Sequence, residues 1–215
     1  MNIRVLRLFI ATITLLSVCS VALAQQNPNK PPPLKLKKFT ALDSRSLVKS
    51  PSYGVQDEPG ISKSGKAPEW RRINVEYQTM PEWIDELKID FIIVTLKVER
   101  EDGKNVQKYS VYKKSVTYID VEQGRSHFAS AFLHPNAEKR YGTAVATAVI
   151  LSVDGVKIEE YGEVASAVRS IFGENWWNNP RIMESDVLVP RSGYLLNKKE
   201  SPFVFMNIDS YEVIK

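Results

Sequence analysis

Two runs of alternating apolar and polar residues, between positions 88 and 121, give the clearest structural signal in the chain. In the first run apolar residues recur at 92, 94, 96 and 98, and polar residues fill 95, 97 and 99. Asp102-Gly103 separates the runs and suits a type I′ turn, in which both central residues need φ > 0. The pattern predicts an antiparallel hairpin with one face on a core and one in water. This turn pairs Leu96 with Tyr109 and Val94 with Val111.

Further short runs predict about eight strands in all, with turn residues between them. The other runs are Ile73–Tyr77, Ser126–Leu133, Arg140–Val153, Asp186–Val189, Tyr194–Leu196 and Phe203–Val213. Four apolar residues share one face of the run 140–153 (Val145, Val149, Leu151 and Val153), and three alanines (Ala144, Ala146 and Ala148) line the other, where another element can approach closely. Asp154-Gly155 is a second two-residue turn and would pair Leu151 with Ile158.

Helical periodicity is clearest between Val164 and Phe172. Apolar residues there fall at i, i+3, i+4, i+7 and i+8, and Gly173 stands where the residue after a helix belongs. We expect this helix to pack on the sheets, over the alanine face. A shorter turn is predicted in the segment that Pro81 opens, with Trp83 and Leu87 directed to the core.

Together these elements predict a mainly β fold, an antiparallel immunoglobulin-like sandwich with one inserted α-helix. The alternative is an α+β antiparallel sheet with the helix on one face. A barrel also remains open.

The first 24 residues have the pattern of a secretory signal peptide. Arg4 and Arg7 precede an apolar stretch, and Ala22-Leu23-Ala24 offers a small-residue cleavage site. An uncleaved segment would instead act as a membrane anchor. The only cysteine, Cys19, lies inside the segment, and a lipid on it would be another route to the membrane. The expected location is the periplasm, the outer-membrane surface or the extracellular space.

Composition divides the remaining chain into a tether, residues 25–69, and a folded domain, residues 70–215. Seven of the twelve prolines fall in the tether, including Pro31-Pro32-Pro33, and such composition favours an extended, solvated chain. The run Leu34–Phe39 alternates and could alternatively add as a strand to another sheet. The domain carries 19 basic and 21 acidic residues, which gives no electrostatic footprint for nucleic acid.

No catalytic, cofactor-binding or metal-binding set is predicted. His127 and His134 are seven residues apart and would lie on opposite faces of one strand, so they cannot easily share a metal ion. The adjacent acids Asp85-Glu86 and Glu159-Glu160 would diverge, whereas glycosidase chemistry needs two carboxyl groups across a cleft. A nucleophile elbow for a hydrolase is also missing.

The most suggestive surface feature is Trp176-Trp177-Asn178-Asn179, which follows the predicted helix and precedes Pro180. Exposed aromatic rings beside amides can stack on sugars or anchor a protein partner. The structural alternative is that one tryptophan fills the end of the sandwich, because tryptophans are highly buried on average.

Three short stretches resemble a group of small exported bacterial proteins with an immunoglobulin-like sandwich, encoded beside type IV pilus-like assembly genes. They are Trp70-Arg71-Arg72-Ile73, Pro81–Asp85 and Val116–Val121. The resemblance implies an envelope or pilus-associated role and supplies no catalytic residue.

The sequence therefore predicts a non-enzymatic exported protein that acts as a protein-binding or structural module, with envelope or pilus proteins as partners. The alternative is a carbohydrate-binding module that uses Trp176 and Trp177.

Overall fold

The computed structural model describes residues 31–51, 67–206 and 213–215. Residues 32–215 form one compact unit built from two stacked sheets. The first sheet has the order β1-β3-β6-β10, with β2 also paired to β3. Its strands are β1 (Leu34–Thr40), β2 (Leu47–Lys49), β3 (Glu69–Thr79), β6 (His127–Leu133) and β10 (Leu195–Asn197). The second sheet has the order β11-β5-β4-β7-β8, with β9 beside β5. Its strands are β4 (Trp83–Glu101), β5 (Lys104–Glu122), β7 (Thr143–Val153), β8 (Val156–Val164), β9 (Leu188–Pro190) and β11 (Val213–Ile214). Every strand pair except β5–β9 is antiparallel, which confirms the predicted antiparallel sandwich.

The central hairpin forms with the predicted turn and register. Asp102 and Gly103 both have positive φ, 48° and 79°, as a type I′ turn requires. Leu96 lies opposite Tyr109 and Val94 opposite Val111. The two strands are 19 residues long each and form the centre of the second sheet.

The main core lies between the two sheets. Side chains at alternate positions of β3 face side chains of β4 and β7 in the other sheet. At the centre of this core, residues of all three strands have no solvent exposure (Ile73, Val75, Tyr77, Leu87, Ile89, Phe91, Ile93, Val149 and Leu151). The predicted alternation is therefore correct for β3. The inward face of β4, however, carries the odd-numbered residues 87–93.

The other face of the second sheet is also covered, whereas the hairpin pattern predicted that one face of its strands lies in water. Ile92 and Val94 lie on this outer face and are buried under residues of the chain from Val168 to Leu188. At the hairpin tip, beyond the last β7 pair at Leu96, this face meets solvent, and Val98 there is 55% exposed.

A β-bulge at Val145 explains the mixed faces of β7. Val94 pairs with Ala146 but Thr95 pairs with Ala144, so Val145 is the extra residue. Ala144 consequently joins the inner core, while Val145 joins the outer cluster with Ala146 and Ala148. The prediction that Val145 shares a face with Val149, Leu151 and Val153 is therefore wrong, because the bulge turns it to the other side. The predicted approach of another element to the alanine face is therefore correct for two of the three alanines.

The predicted helix over 164–172 is shorter and less regular than its pattern. β8 continues to Val164, a 3-10 turn spans Ser166–Val168, and α2 covers only Arg169–Phe172. Gly173 ends it with φ 70°, as expected of a residue after a helix. Val164 also fits the alternation of a strand. Helical periodicity alone therefore placed the start of the predicted helix too early, at a residue that belongs to β8.

Two further short helices were not predicted, α1 (Pro135–Tyr141) and α3 (Pro180–Met183). The α1 residue Glu138 accepts a hydrogen bond from Arg71 of β3 at 2.6 Å, and this Arg71 side chain is almost fully buried. Arg71 also donates to the Ser46 hydroxyl at 2.9 Å, so it joins three chain segments. Gly142 ends α1 with φ 91°, and a Cβ there would lie 1.9 Å from the Leu96 carbonyl oxygen.

Part of the predicted tether is a strand instead. Residues 34–40 and 47–49 pair with β3, and Leu34 is 1% exposed in the main core. The alternating run supplied enough apolar surface to join the sheet, although the surrounding composition favoured an extended linker. The predicted signal peptide, tether residues 25–30 and residues 52–66 lie outside the described residues.

Three local predictions need correction. β4 begins at Trp83 where a turn was expected, and the Trp83 side chain is 52% exposed, whereas Leu87 is buried as predicted. Leu151 pairs with Glu159 because Ile158 is bulged. The predicted strand 203–213 is a turn at 203–206 and a short β11, with 207–212 outside the described residues.

Among the helices that the structure describes, none has the length and apolar character needed to cross a bilayer.

Candidate functional site

The chain between residues 165 and 192, which we call the cover segment, lies over the outer face of the second sheet and joins that sheet near its end as β9. Its buried residues Val168, Phe172, Trp176 and Leu188 pack against β4, β5 and β7. Two parts of the segment differ in character. We call the part around Trp176 and Trp177 the tryptophan corner, and the depression beside the last residues of the segment the basic cleft.

Trp176 does not take part in an exposed binding surface. It is 0% exposed, and its ring packs edge-to-face against Phe172 with centroids 5.5 Å apart. The expectation that both tryptophans are surface ligands is therefore wrong for this residue, because it anchors the cover segment to the sheet. The structural alternative for one tryptophan of the pair is correct.

Trp177 is half-buried at the tryptophan corner. Its indole N–H donates to Glu160 Oε2 at 3.1 Å, and its ring lies against Gly162 of β8. A Cβ at position 162 would come within 2.2 Å of that ring, so glycine is required for the close approach.

The two asparagines of the predicted site also have structural partners. Asn178 Nδ2 donates to both carboxylate oxygens of Glu160, at 2.8 and 2.9 Å. The Asn179 side chain accepts a hydrogen bond from the Arg181 backbone N–H at 3.1 Å and caps α3. Of the four predicted residues, Trp177 and the exposed parts of Asn178 and Asn179 remain available to a ligand.

Glu160 is the hub of the tryptophan corner. Burial alone would raise its pKa, but hydrogen bonds from Asn178, Trp177 and Lys157 outweigh burial and hold the pKa below its ordinary value. The negative charge of the Glu160 carboxylate is therefore stabilised by hydrogen-bond donors of the same chain.

The two histidines have separate structural roles. His127 is buried and its ring stacks on Tyr77 with centroids 5.2 Å apart. The His134 side chain accepts from the Asn136 backbone N–H at 3.1 Å at the start of α1. Within the described ranges, no three of His, Cys, Asp and Glu come together in a way that could hold a metal ion.

The basic cleft is a depression of about 570 Å³ between the hairpin tip, the end of α1 and the end of the cover segment. Four cationic side chains line it (Lys97, Lys108, Arg140 and Arg191), with the two acids Glu99 and Asp186. Tyr109, Ser110 and Tyr141 also line it.

The two lysines of the cleft are already paired with acids. Glu99 lies 2.7 Å from Lys97 Nζ and 2.6 Å from Lys108 Nζ. The hydrogen bond from Lys108, supported by Lys97, lowers the pKa of Glu99 to about 2. These two lysines and this glutamate therefore form a closed surface network on the hairpin.

The two arginines of the cleft are different. Their guanidinium carbons lie over the same ring, that of Tyr141, at 5.3 Å for Arg140 and 4.4 Å for Arg191. The Nε atom of Arg191 is buried without a hydrogen-bond partner. Within residues 31–51, 67–206 and 213–215, no carboxylate forms an ion pair with either guanidinium.

Sequence reasoning missed these arginines because it assigned Arg140 to a strand and gave Arg191 no role. A signal existed in Arg140-Tyr141, a cation beside an aromatic residue ahead of Gly142. Nothing local, however, indicates that the distant Arg191 reaches the same ring.

The two-layer antiparallel architecture with a covered outer face defines a β-sandwich domain. A protein-family model matches residues 36–215, and the chain belongs to that family, which is a family of pilus-associated proteins. A crystal structure of a protein from Akkermansia muciniphila has a similar fold, with a TM-score of 0.64 and 24% identity over 88% of this chain and 96% of that chain. No curated protein sequence matches the chain.

Proposed function

We propose that this chain is a non-enzymatic module that binds protein partners during the assembly or attachment of pili at the bacterial envelope. The observation that carries the proposal is the family match, which spans nearly all of the folded unit. A pilus-associated family has an envelope or surface location, and this supports the predicted signal peptide at residues 1–24.

The arrangement of polar groups supports a binding rather than a catalytic role. Glu160 accepts hydrogen bonds from Trp177 and Asn178 of the same chain. Glu138 is likewise held by Arg71. Catalytic acids and bases must reach a substrate, whereas these carboxylates accept hydrogen bonds from side chains of the same fold.

The carbohydrate-binding alternative loses part of its basis. Stacking on a sugar needs an exposed ring face, and Trp176 has none. Trp177 keeps some exposure, but its ring lies against Gly162 and its N–H is engaged by Glu160. A sugar could therefore use one partly covered ring and not a pair.

Immunogold labelling of native cells tests the proposal. Antibodies against the purified chain should label pili or the envelope sites from which pili emerge, and a deletion strain should show no label and fewer or shorter pili. Label confined to the cytoplasm, or normal pili in the deletion strain together with binding of the purified chain to a glycan array that is lost in Trp177→Ala, would contradict it.

A further inference from the structure

We infer that the basic cleft binds carboxylates of an acidic segment in a partner polypeptide, with Arg140 and Arg191 as the groups that hold them. The inference rests on the proposed protein-binding function for the nature of the partner. It adds the binding surface and the chemistry of the contact.

The first support is the unmatched charge of the two arginines. Arg191 has its Nε atom buried without an acceptor, and burial of a cationic donor without a partner is unfavourable. Arg140 lies over the same Tyr141 ring and adds a second positive charge close by. Two like charges in a half-enclosed depression repel each other, and an anion placed between them relieves both problems.

The second support is that this charge is local. The lysines beside the arginines are neutralised by Glu99 and Glu101, and residues 70–215 carry two more acids than bases. A general basic character of the domain therefore does not explain two free guanidinium groups in one cleft. Asp186 lines the cleft as well, yet it forms no ion pair with them among the described residues.

The third support concerns the form of the ligand. A guanidinium holds a carboxylate through two parallel hydrogen bonds, which fixes orientation as well as charge. Apolar side chains stand at the rim beside the arginines, with Val187 59% and Val189 39% exposed. Neighbouring anionic and apolar contacts fit a polypeptide with acidic and aliphatic residues better than a sugar acid, which presents hydroxyl groups to such a rim.

A fluorescence-anisotropy titration of the purified full chain tests this inference. The probe is a short labelled peptide that carries several glutamates among alanines, and the matched peptide has glutamines in place of the glutamates. The glutamate peptide should bind and the glutamine peptide should not, and added salt should weaken the binding. Arg191→Gln and Arg140→Gln should each weaken it about tenfold or more.

Arg125→Gln is the control, because it removes the same charge from an exposed position between β5 and β6, outside the cleft. It should bind the glutamate peptide as the parent does. Thermal melts check that all variants fold, and Arg140→Gln changes an exposed side chain, so its loss of binding cannot come from unfolding.

Equal affinity of the parent, Arg191→Gln and Arg140→Gln would overturn the inference, and so would equal binding of both peptides. Binding of galacturonate with no binding of the glutamate peptide would also overturn it, since the ligand would then be a sugar acid. These results are independent of the immunogold experiment, which reports location and pilus formation without reference to the cleft.

Discussion

The tryptophan corner and the basic cleft lie in two parts of the same cover segment and differ in how their charged groups are matched. At the corner, the Glu160 carboxylate accepts from three donors, and a tryptophan beneath it is fully buried. At the cleft, two guanidinium groups share one ring and have no carboxylate partner in the described parts of the chain. The first arrangement stabilises the fold, whereas the second leaves interactions for a ligand to complete.

This contrast also shows that aromatic residues of one protein can have different structural roles. The conspicuous Trp176-Trp177 pair suggested a binding surface, yet the structure uses most of it to attach the cover segment. The less conspicuous Tyr141 supports the two unmatched charges. Composition alone does not separate these roles, because the separation depends on which partners the fold supplies.

The largest effect should come from removing the tryptophan that anchors the corner. Trp176→Ala deletes a fully buried ring and should lower the free energy of unfolding by about 3–5 kcal/mol, measured by urea denaturation. The control is Trp83→Ala, where the ring is 52% exposed and the expected loss is under about 1 kcal/mol. Similar losses in both variants would mean that Trp176 does not hold the cover segment.

Two arginine substitutions compare a cation that has an ion-pair partner with a cation that has none among the described residues. Arg71→Met should lower the free energy of unfolding by about 3 kcal/mol, because it removes the buried cation that pairs with Glu138 and donates to the Ser46 hydroxyl. Arg191→Met should change it by less than about 1 kcal/mol in either direction, because no ion pair is lost and an unsatisfied cation disappears. An equally large loss for Arg191→Met would show that its charge has a structural partner.

The smallest effect concerns two glutamates of β8 with opposite pKa shifts. The lowered pKa of Glu160 means that its contribution to stability is present above the ordinary value of 4.5 and is lost as pH falls through the folded-state pKa. Glu160→Gln should therefore cost roughly 1 kcal/mol near neutral pH and less in acid.

Glu163 supplies the matched variant with the reverse sign. Burial raises its pKa above 4.5, so its folded state holds the proton more tightly and loses stability as pH rises through that window. Glu163→Gln should consequently gain stability relative to the parent as pH increases. Denaturation midpoints across the pH range would contradict both assignments if the two variants followed parallel curves.

The sequence predicts the hairpin well because its information is local. Asp102-Gly103 determines the turn type, and the turn determines which residues of β4 and β5 lie opposite each other. The same logic misses by one residue at Asp154-Gly155, because a bulge at Ile158 shifts the pairing. Bulges have no strong sequence signal, and the one at Val145 also exchanged the faces of β7.

The outer layer and the cleft could not be predicted in this way. Ile92 and Val94 alternate with equally apolar neighbours, so their pattern does not say that a distant segment will cover them. Leu34–Thr40 was ambiguous because strand alternation sat inside a linker-like composition. Arg140 and Arg191 meet only through the packing of α1 against the end of the cover segment.

A carboxylate of β8 has one more consequence, for the outer rim of the first sheet. Glu159 accepts from the Leu36 backbone N–H of β1 at 2.5 Å. Unpaired amides along a border strand invite a strand from another molecule, which leads to runaway polymerisation. With the Leu36 amide occupied, β1 is less open at that position to the addition of a strand from another molecule.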